Sequence, residues 1–194
     1  MKDEVAQNSL INCVNKSHKL SSTAQRALFE RLSRDEIEKE AHLLEEGQVC
    51  HKLYFIESGC VRSYYHLDGK EITHWFGFEN DFVTSFLSFI DRSPSREFIQ
   101  VVENLAAWTI TRVDLYKLYD EFPEIERLGR ILCEQYYHRL EERYVSGQFK
   151  TAAQRYEGLL ESHKHILQRI PLGQIASYLG ISQETLSRIR AKSV

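Results

Sequence analysis

The segment from Leu172 to Ile189 places the strongest constraint on how this chain folds. Its apolar residues recur at helical spacing on both sides of Gly180, which predicts two short helices joined by a tight turn. Glycine readily adopts the left-handed conformation that ends a helix, and Ser182 is a preferred residue for capping the next one. A small side chain at Ala176 lets the second helix cross closely, as in a helix-turn-helix. The positions expected to face inward are Ile175, Leu179, Ile181, Leu186 and Ile189.

The other side of the second predicted helix is polar and basic, which suits nucleic acid. Arginine can bind guanine, glutamine can bind adenine, and glutamate can accept from cytosine, while lysine and the amide groups at a helix start bind phosphates. The alternative is a solvated hairpin in which Glu184 and Arg188 form an ordinary i,i+4 ion pair. The residues predicted to contact DNA are Ser182, Gln183, Glu184, Thr185, Ser187, Arg188, Arg190 and Lys192.

Charge is divided unevenly along the chain, although the whole carries a net charge of only −3. From residue 150 to the end there are seven lysines and arginines against three glutamates, a net +4, which leaves −7 for residues 1–149. Affinity for DNA comes largely from neutralised phosphates. A basic end joined to an acidic remainder therefore supports DNA binding by that end.

The first two thirds of the chain change from a helical to an alternating pattern. Residues 1–39 are predicted to be helical, with Ser22 and Gln25 as a capping box. Strands are predicted at 52–56, 61–66, 71–76, 98–103 and 105–111. Asp68-Gly69 between two of these runs is a strong signal for a hairpin. Short strands at this spacing are typical of a small β-sandwich or barrel.

A second helical region follows the strands. A short helix is predicted over 113–119, and Pro123 suits the first turn of a helix of roughly 25 residues, which would span about 38 Å. The helix could pack on the chain's own sheet, but its length favours a coiled-coil seam between two copies. The residues expected in that seam are Ile125, Leu128, Leu132, Tyr136, Leu140 and Tyr144.

Residue spacing disfavours a metal centre or an enzyme. No C-x-x-C pair is present among the cysteines, which are Cys13, Cys50, Cys60 and Cys133. The close pair His163 and His165 has no carboxylate nearby, and no G-x-S-x-G, P-loop or G-x-G-x-x-G motif occurs. The N-terminus lacks the order of a signal peptide, and no apolar run approaches the roughly 20 residues that span a bilayer. We therefore expect a cytoplasmic protein without a membrane partner.

The order of β-roll, long helix and helix-turn-helix resembles the Crp/Fnr superfamily of bacterial regulators. Gly47, Tyr54-Phe55-Ile56 and Gly59 are similar to the β-roll of that family, and residues 181–189 closely resemble its recognition helix. The resemblance covers nearly the whole chain. It implies a homodimer that binds a double-stranded DNA operator with two half-sites about 34 Å apart. RNA polymerase is a further candidate partner.

The resemblance also implies an α+β fold in three parts. Residues 1–121 would form N-terminal helices and a sensory β-roll of the cyclic-nucleotide-binding type, a double-stranded β-helix similar to a jelly roll. Residues 122–149 would form the dimerisation helix, and residues 150–194 the helix-turn-helix DNA-binding domain. We expect a sequence-specific transcription regulator with an effector-sensing β-roll. The alternative is a cyclic-nucleotide-type signalling module that acts through a protein partner.

Three departures from the family pattern concern the effector pocket. The family's sugar-binding glutamate is either replaced by Ser85 or shifted to Glu79, and Ser95 stands where the family has a phosphate-binding arginine. Arg96 comes one residue late, which in a strand places it on the opposite face. Leu140-Glu141 replaces the Thr-Ser pair that touches the base. The candidate pocket residues are Phe76, Asp81, Thr84, Ser85, Phe86, Ser95, Arg96 and Leu140.

These departures disfavour a cyclic nucleotide, and an empty pocket, a different small-molecule effector and a vestigial pocket all stay open. The family's oxygen sensors use an N-terminal cysteine cluster that Cys13 alone cannot supply. The sequence stops at Val194, where many relatives continue into a wing, so the chain is either a short form lacking the wing or a truncated one.

Overall fold

The alternating segments form two antiparallel four-stranded sheets in a computed structural model of the chain, which describes residues 2–192. The strands are β1 (Ser33–Ile37), β2 (His42–Leu44), β3 (Lys52–Ser58), β4 (Val61–Leu67), β5 (Lys70–Gly77), β6 (Phe82–Val83), β7 (Phe98–Val101) and β8 (Leu105–Thr111). One sheet has the order β1-β8-β3-β6, and the other has the order β2-β7-β4-β5. These sheets form the predicted β-roll.

Helices precede and follow the strands in sequence, and one short helix lies between β6 and β7. They are α1 (Lys2–Ser17), α2 (Ser22–Glu30), α3 (Phe86–Asp91), α4 (Arg112–Glu121), α5 (Pro123–Phe149), α6 (Ala152–Ser162), α7 (Ile166–Arg169), α8 (Leu172–Leu179) and α9 (Gln183–Lys192). None of the helices in this described range is long and apolar enough to cross a membrane.

Two predictions of local geometry are confirmed. Asp68 and Gly69 both have positive φ, 50° and 73°, as a two-residue turn between β4 and β5 requires. Pro123 occupies the first turn of α5, where its missing amide hydrogen costs nothing. The long helix has 27 residues, close to the predicted length. The predicted short helix is α4, which begins one residue earlier and ends two residues later.

The prediction that residues 1–39 are helical is wrong at its end, because residues 33–37 form β1. Among the described residues, this strand pairs with β8 alone and lies at the edge of its sheet. Edge strands tolerate charged side chains, which hide the apolar alternation that identifies a central strand. Arg34 of β1 is held by Glu57 at 2.8 Å and by Glu36 at 2.7 Å.

The N-terminal cap of α2 and one strand boundary also differ from the predictions. Ser21, rather than Ser22, caps α2, because its hydroxyl accepts from the amide of Ala24 at 3.2 Å. That hydroxyl also donates to Glu124 at 2.6 Å. This tertiary contact explains why Ser21, rather than the adjacent Ser22, serves as the N-terminal cap. The strand predicted at 98–103 ends at Val101.

Two hydrophobic clusters hold the described residues together. The larger one lies between the sheets and continues under α1, α2, α4 and the start of α5. The smaller one joins the roll to the C-terminal helices, because Cys60, Phe76, Phe78 and Val102 are buried together with side chains from α6, α7, α8 and α9. The C-terminal helices therefore share a core with the roll in this structure.

Candidate DNA-binding surface and effector pocket

The turn between α8 and α9 has the geometry that its sequence predicts. Gly180 ends α8 with φ 66° and ψ 36°, the left-handed conformation. The amide of Ile181 donates to the carbonyl of Ala176 at 3.0 Å, as in a Schellman motif. Ser182 then caps α9, since its hydroxyl accepts from the amide of Thr185 at 3.2 Å. The two helices are thus fixed by capping on both sides of the turn.

The inward-facing positions of this pair are also as predicted. Ile175, Leu179 and Leu186 are buried in the smaller core, and Ile181 and Ile189 are partly buried against it. Ala176 is buried as well, which agrees with the close crossing of the two helices. This packing leaves one face of α9 in solvent.

That face carries most of the residues predicted to contact DNA. The exposed members are Ser182, Gln183, Glu184, Ser187, Arg188 and Lys192, whereas Thr185 and Arg190 are half-buried. Within residues 2–192, Arg188 has no hydrogen-bond or ion-pair partner, so the Glu184–Arg188 pair of the alternative interpretation does not form. Arg188 is therefore unengaged at the surface.

Not all of the basic charge at this end is available to a ligand. Arg155 donates to the carbonyl groups of Lys150 at 2.7 Å and Leu179 at 2.9 Å. Arg169 is engaged by two glutamates of the roll. The cations of this end that remain at or near the surface are Lys150, Lys164, Arg188, Arg190 and Lys192.

Arg169 clamps the C-terminal helices to the roll. Its guanidinium donates to Glu79 at 2.7 Å and to Glu103 at 2.6 Å. Burial raises the pKa of Glu79, but the hydrogen bonds and charge of Arg169 outweigh it and hold that pKa below its ordinary value. The same two carboxylates raise the pKa of Arg169 above its ordinary value, so the guanidinium stays charged at neutral pH.

Two further contacts fix α8 in place. The hydroxyl of Ser177 accepts from the amide of Thr73 and donates to the carbonyl of Glu71, both at 2.9 Å, so it bonds to the backbone of β5. Arg143 of α5 lies 3.9 Å from the ring centre of Tyr178. The helix that precedes α9 thus contacts both the roll and the long helix.

Inside the roll, the region of the predicted effector pocket is almost completely filled. The remaining cavity of about 10 Å³ is no larger than one water needs. Tyr136 of α5 stacks on Phe86 with ring centres 3.9 Å apart and lies 5.3 Å from the ring centre of Trp75. Burial raises the pKa of Tyr136 to about 12. Tyr136 therefore acts as an uncharged aromatic plug.

The polar part of this pocket wall contains one carboxylate, that of Glu97, and no lysine or arginine among the described residues. The carboxylate of Glu97 lies 2.6 Å from the ring nitrogen of His74. Tyr65 stacks on His74 with ring centres 4.6 Å apart, and Ser63 completes the wall. A carboxylate facing the cavity would repel a phosphate at the same place.

Only part of the predicted pocket set lies in this pocket. Thr84 and Phe86 line it. Ser85 and Ser95 are buried with hydroxyl oxygens 3.3 Å apart, and Ser95 also donates to the carbonyl of Glu97. Two serines that pair with each other leave no donor for an anion there. The pattern of small polar residues in this region thus reflects internal hydrogen bonding.

Four predicted pocket residues do not line this cavity. Phe76 packs on Tyr178 in the smaller core, because α8 covers that side of β5. Asp81 forms an ion pair with Arg139 at 3.1 Å and is not in the cavity wall. Arg96 is exposed, as expected for a residue one position out of register. Leu140 lies on the exposed side of α5.

Sequence reasoning missed Ser63, His74, Trp75 and Glu97 as pocket residues. His74 and Trp75 both line the cavity although adjacent strand residues usually face opposite sides. A register shift between β4 and β5 at Ser63/Tyr64 accounts for this irregularity. No local pattern marks such a bulge, and Glu97 lies in the bend just before β7, where strand alternation does not apply.

The residues predicted for the dimer seam divide into three groups. Ile125 and Leu128 are 2% and 5% exposed in the chain's own core, and Leu132 is partly buried against it, so these three side chains pack within the single chain. Tyr136 plugs the pocket. Leu140 and Tyr144 are 37% and 69% exposed and stay available to a partner. The first half of α5 therefore packs on its own sheet, as the alternative interpretation held.

Comparisons with known proteins agree with this architecture. The family model for the cyclic nucleotide-binding domain matches residues 34–122. No curated protein matches the sequence. The Catabolite Activator Protein of Thermus thermophilus is 21% identical, with a TM-score of 0.58 over 90% of this chain and 84% of that one.

Two further solved structures match with higher TM-scores. FixK2 from Bradyrhizobium japonicum is 19% identical, with a TM-score of 0.70 over 83% of each chain. A protein from Eubacterium rectale, described as a transcriptional regulator of the Crp/Fnr family, is 20% identical, with a TM-score of 0.69 over 88% of this chain and 82% of that one. The α+β fold and the resemblance predicted from the sequence are confirmed: residues 34–122 match the family model of the cyclic nucleotide-binding domain, and the chain has the fold of the Crp/Fnr regulators to which it is similar.

Proposed function

We propose that this chain is a sequence-specific DNA-binding transcription regulator that acts as a homodimer, with α8 and α9 as its helix-turn-helix. The observation that carries the proposal is the exposed polar face of α9, on which Arg188 has no partner among the described residues. A capped and packed helix that presents unengaged arginine and glutamine side chains has the chemistry needed to read base edges in a major groove. The proposal includes a cytoplasmic location, because the DNA operator would be there.

The names of the structural relatives support this assignment by analogy. One relative is described as a transcriptional regulator, and another is a catabolite activator protein. The three-part division at residues 121/122 and 149/150 is likewise proposed, with α5 as the dimerisation helix. RNA polymerase is a further proposed partner, since activators of transcription act by contacting it.

We further propose that the pocket of this regulator does not take a cyclic nucleotide. Glu97 places a carboxylate in the cavity, Ser95 replaces the expected arginine, and Tyr136 fills the remaining space. An effector that enters this pocket must displace Tyr136 and tolerate a carboxylate. A neutral small molecule meets the second condition because the Glu97 carboxylate does not repel it as it would repel a phosphate. A cationic molecule meets it because the carboxylate attracts it.

Selection of genomic DNA fragments on the purified protein at two salt concentrations tests the main proposal. We expect enrichment of an inverted repeat, and an affinity that falls with rising salt by about 0.9 logarithmic units per phosphate contact per logarithmic unit of salt. Failure to retain DNA at either salt concentration would contradict it. A dimer that binds no DNA would instead favour the signalling module that acts through a protein partner.

Arg188→Ala provides the residue-level test on the selected operator. We expect binding to weaken by about 1–3 kcal/mol and specificity to relax at one operator position, as for an arginine that reads a guanine. Arg127→Ala is the matched control, because Arg127 is exposed on α5 and has no partner within residues 2–192. Unchanged operator binding by Arg188→Ala would remove α9 from the interface. An equal loss on all sequences would make Arg188 a phosphate contact.

A further inference from the structure

A second cavity lies on the outer face of the sheet β1-β8-β3-β6, between that sheet and the helices α1, α2, α4 and α5. Its interior of about 50 Å³ exceeds the 10–15 Å³ that one water needs. The wall is apolar and, among the described residues, contains no charged side chain. Cavities of this kind stay dry and bind small apolar molecules. The space is therefore suited to an uncharged occupant.

Two polar groups in the wall lack hydrogen bonds. The indole N–H of Trp108 on β8 is buried without an acceptor. The hydroxyl of Tyr119 on α4 has no hydrogen-bond partner within the described range. Burial raises the pKa of Tyr119, so its hydroxyl stays protonated and able to donate at any physiological pH. Burying the unpaired N–H of Trp108 costs roughly 1–3 kcal/mol, whereas the Tyr119 hydroxyl is not fully buried and is open to an entering ligand.

Gly129 of α5 makes room for the Tyr119 hydroxyl. A Cβ atom at this position would collide with the hydroxyl oxygen and with the ring carbon that bears it. Leu132, one turn along α5, also lines the cavity, as do Leu10 and Val14 of α1. The phenol is thus held at the wall between the sheet and the long helix.

We propose that this cavity binds a small, uncharged and largely apolar molecule with one hydrogen-bond acceptor, such as a short-chain ketone or aldehyde. The acceptor would take the free hydrogen bond of Tyr119, and the alkyl part would contact Trp108 and the aliphatic wall. A charged ligand would lose its hydration with no counter-charge to replace it. This site differs from the pocket that Tyr136 fills, although Phe82 lines both. The proposal does not depend on DNA binding.

Nuclear magnetic resonance of the full chain tests the proposal, because the sequence contains only two tryptophans. We expect butanone to shift the indole N–H signal of Trp108 saturably and to leave that of Trp75 in place. The hydrocarbon 2-methyl-1-butene has the same shape without the carbonyl and is the matched probe. We expect Tyr119→Phe to weaken butanone binding about 2- to 12-fold, the worth of one hydrogen bond, without affecting the hydrocarbon.

Two variants serve as controls. Val14→Phe places a ring in the cavity, and Gly129→Ala displaces the Tyr119 hydroxyl. Val14→Phe should abolish the Trp108 response to butanone, and Gly129→Ala should weaken it about as much as Tyr119→Phe does. The Trp75 signal should keep its wild-type position in both variants, which shows that the fold is intact. Absence of a saturable Trp108 shift with either probe would overturn the proposal. Equal binding of butanone by wild type and Tyr119→Phe would overturn the assigned donor.

Discussion

Gly180 is the residue at which backbone conformation most directly determines the candidate DNA-binding surface. Its φ of 66° is one that residues with a Cβ rarely adopt, and a Cβ there would meet nothing within 4 Å. The cost of a side chain is therefore conformational rather than steric. We expect Gly180→Ala to lower the free energy of unfolding by about 1 kcal/mol, measured by urea denaturation.

Gly158 supplies a control with the opposite sign. It lies inside α6, a Cβ added there would meet nothing within 4 Å, and its φ is not in the left-handed region. Gly158→Ala should raise the free energy of unfolding by about 1 kcal/mol, since alanine has the higher helix propensity. If both substitutions changed stability in the same direction, the explanation through the left-handed φ would be wrong.

At the residue scale, predictions from the sequence succeed where the determinant is local. The turn at Gly180 and the polar face of α9 follow from helical periodicity and capping within some twenty residues, and both are found. The pocket depends on long-range register instead. His74 of β5, next to a bulge, meets Glu97 of the bend before β7, and Tyr136 lines the same pocket from a helix predicted to serve a dimer seam. No pattern within a single segment encodes that meeting.

At the element scale, Arg169 links α7 to the roll through Glu79 and Glu103. The pKa of Glu79 is lowered in the folded chain, so this group stabilises the fold above its ordinary pKa of 4.5. That contribution is lost as pH falls through the lowered value, because protonation removes the charge that Arg169 binds. The clamp should therefore weaken in acid and persist at neutral pH.

We expect Arg169→Gln to lower the free energy of unfolding at pH 7 by about 1–3 kcal/mol, the range for hydrogen bonds to charged groups. The substitution leaves two carboxylates facing each other without a cation. Adding Glu79→Gln and Glu103→Gln to the same chain should restore part of the loss. Denaturation between pH 3 and 7 is the measurement, and a variant as sensitive to acid below pH 5 as wild type would contradict this role.

The same elements show which parts of the architecture could be predicted from the sequence. The central strands and α5 carry strong periodic signals and were found close to their observed bounds. Three elements have sequence patterns that are weak or dominated by charged residues: the edge strand β1, the short strand β6 and the helix α7. They form because they pair with, or pack against, other elements of the fold. The docking of α8 on β5 through Ser177 is a tertiary contact that periodicity does not report.

At the scale of the whole molecule, the shared core gives a physical route from the roll to α9. The smaller hydrophobic cluster contains residues of β5 and of α8 and α9. Arg139 of α5 lies 4.4 Å from the ring centre of Trp75 in the pocket wall, and Arg143 lies against Tyr178 of α8. Displacing Tyr136 by an effector would disturb α5 one turn before the first of these two contacts. Such coupling would change the relative populations of different α9 orientations, and it would affect DNA binding only through them.

The exposed half of α5 offers a surface for a second copy. Cys133, Tyr137, Leu140 and Tyr144 are exposed and follow one another at intervals of four, three and four residues. This is the spacing of a coiled-coil seam. The set differs from the predicted seam because it leaves out the residues that are buried in the chain's own core. Tyr137 is 67% exposed in the single chain, and such a large apolar surface favours association.

Leu140→Glu tests this seam in the intact chain. Two copies would bring a pair of glutamates together in a desolvated contact, so we expect dimerisation to weaken by about 3–5 kcal/mol, measured by analytical ultracentrifugation. Operator binding at limiting protein concentration should fall in parallel, whereas Leu87→Glu, an exposed leucine on α3, should change neither quantity. Because both substitutions exchange exposed leucine for glutamate, a general loss of stability would affect both. A Leu140→Glu protein that sediments as the wild-type dimer would exclude this face of α5 as the interface.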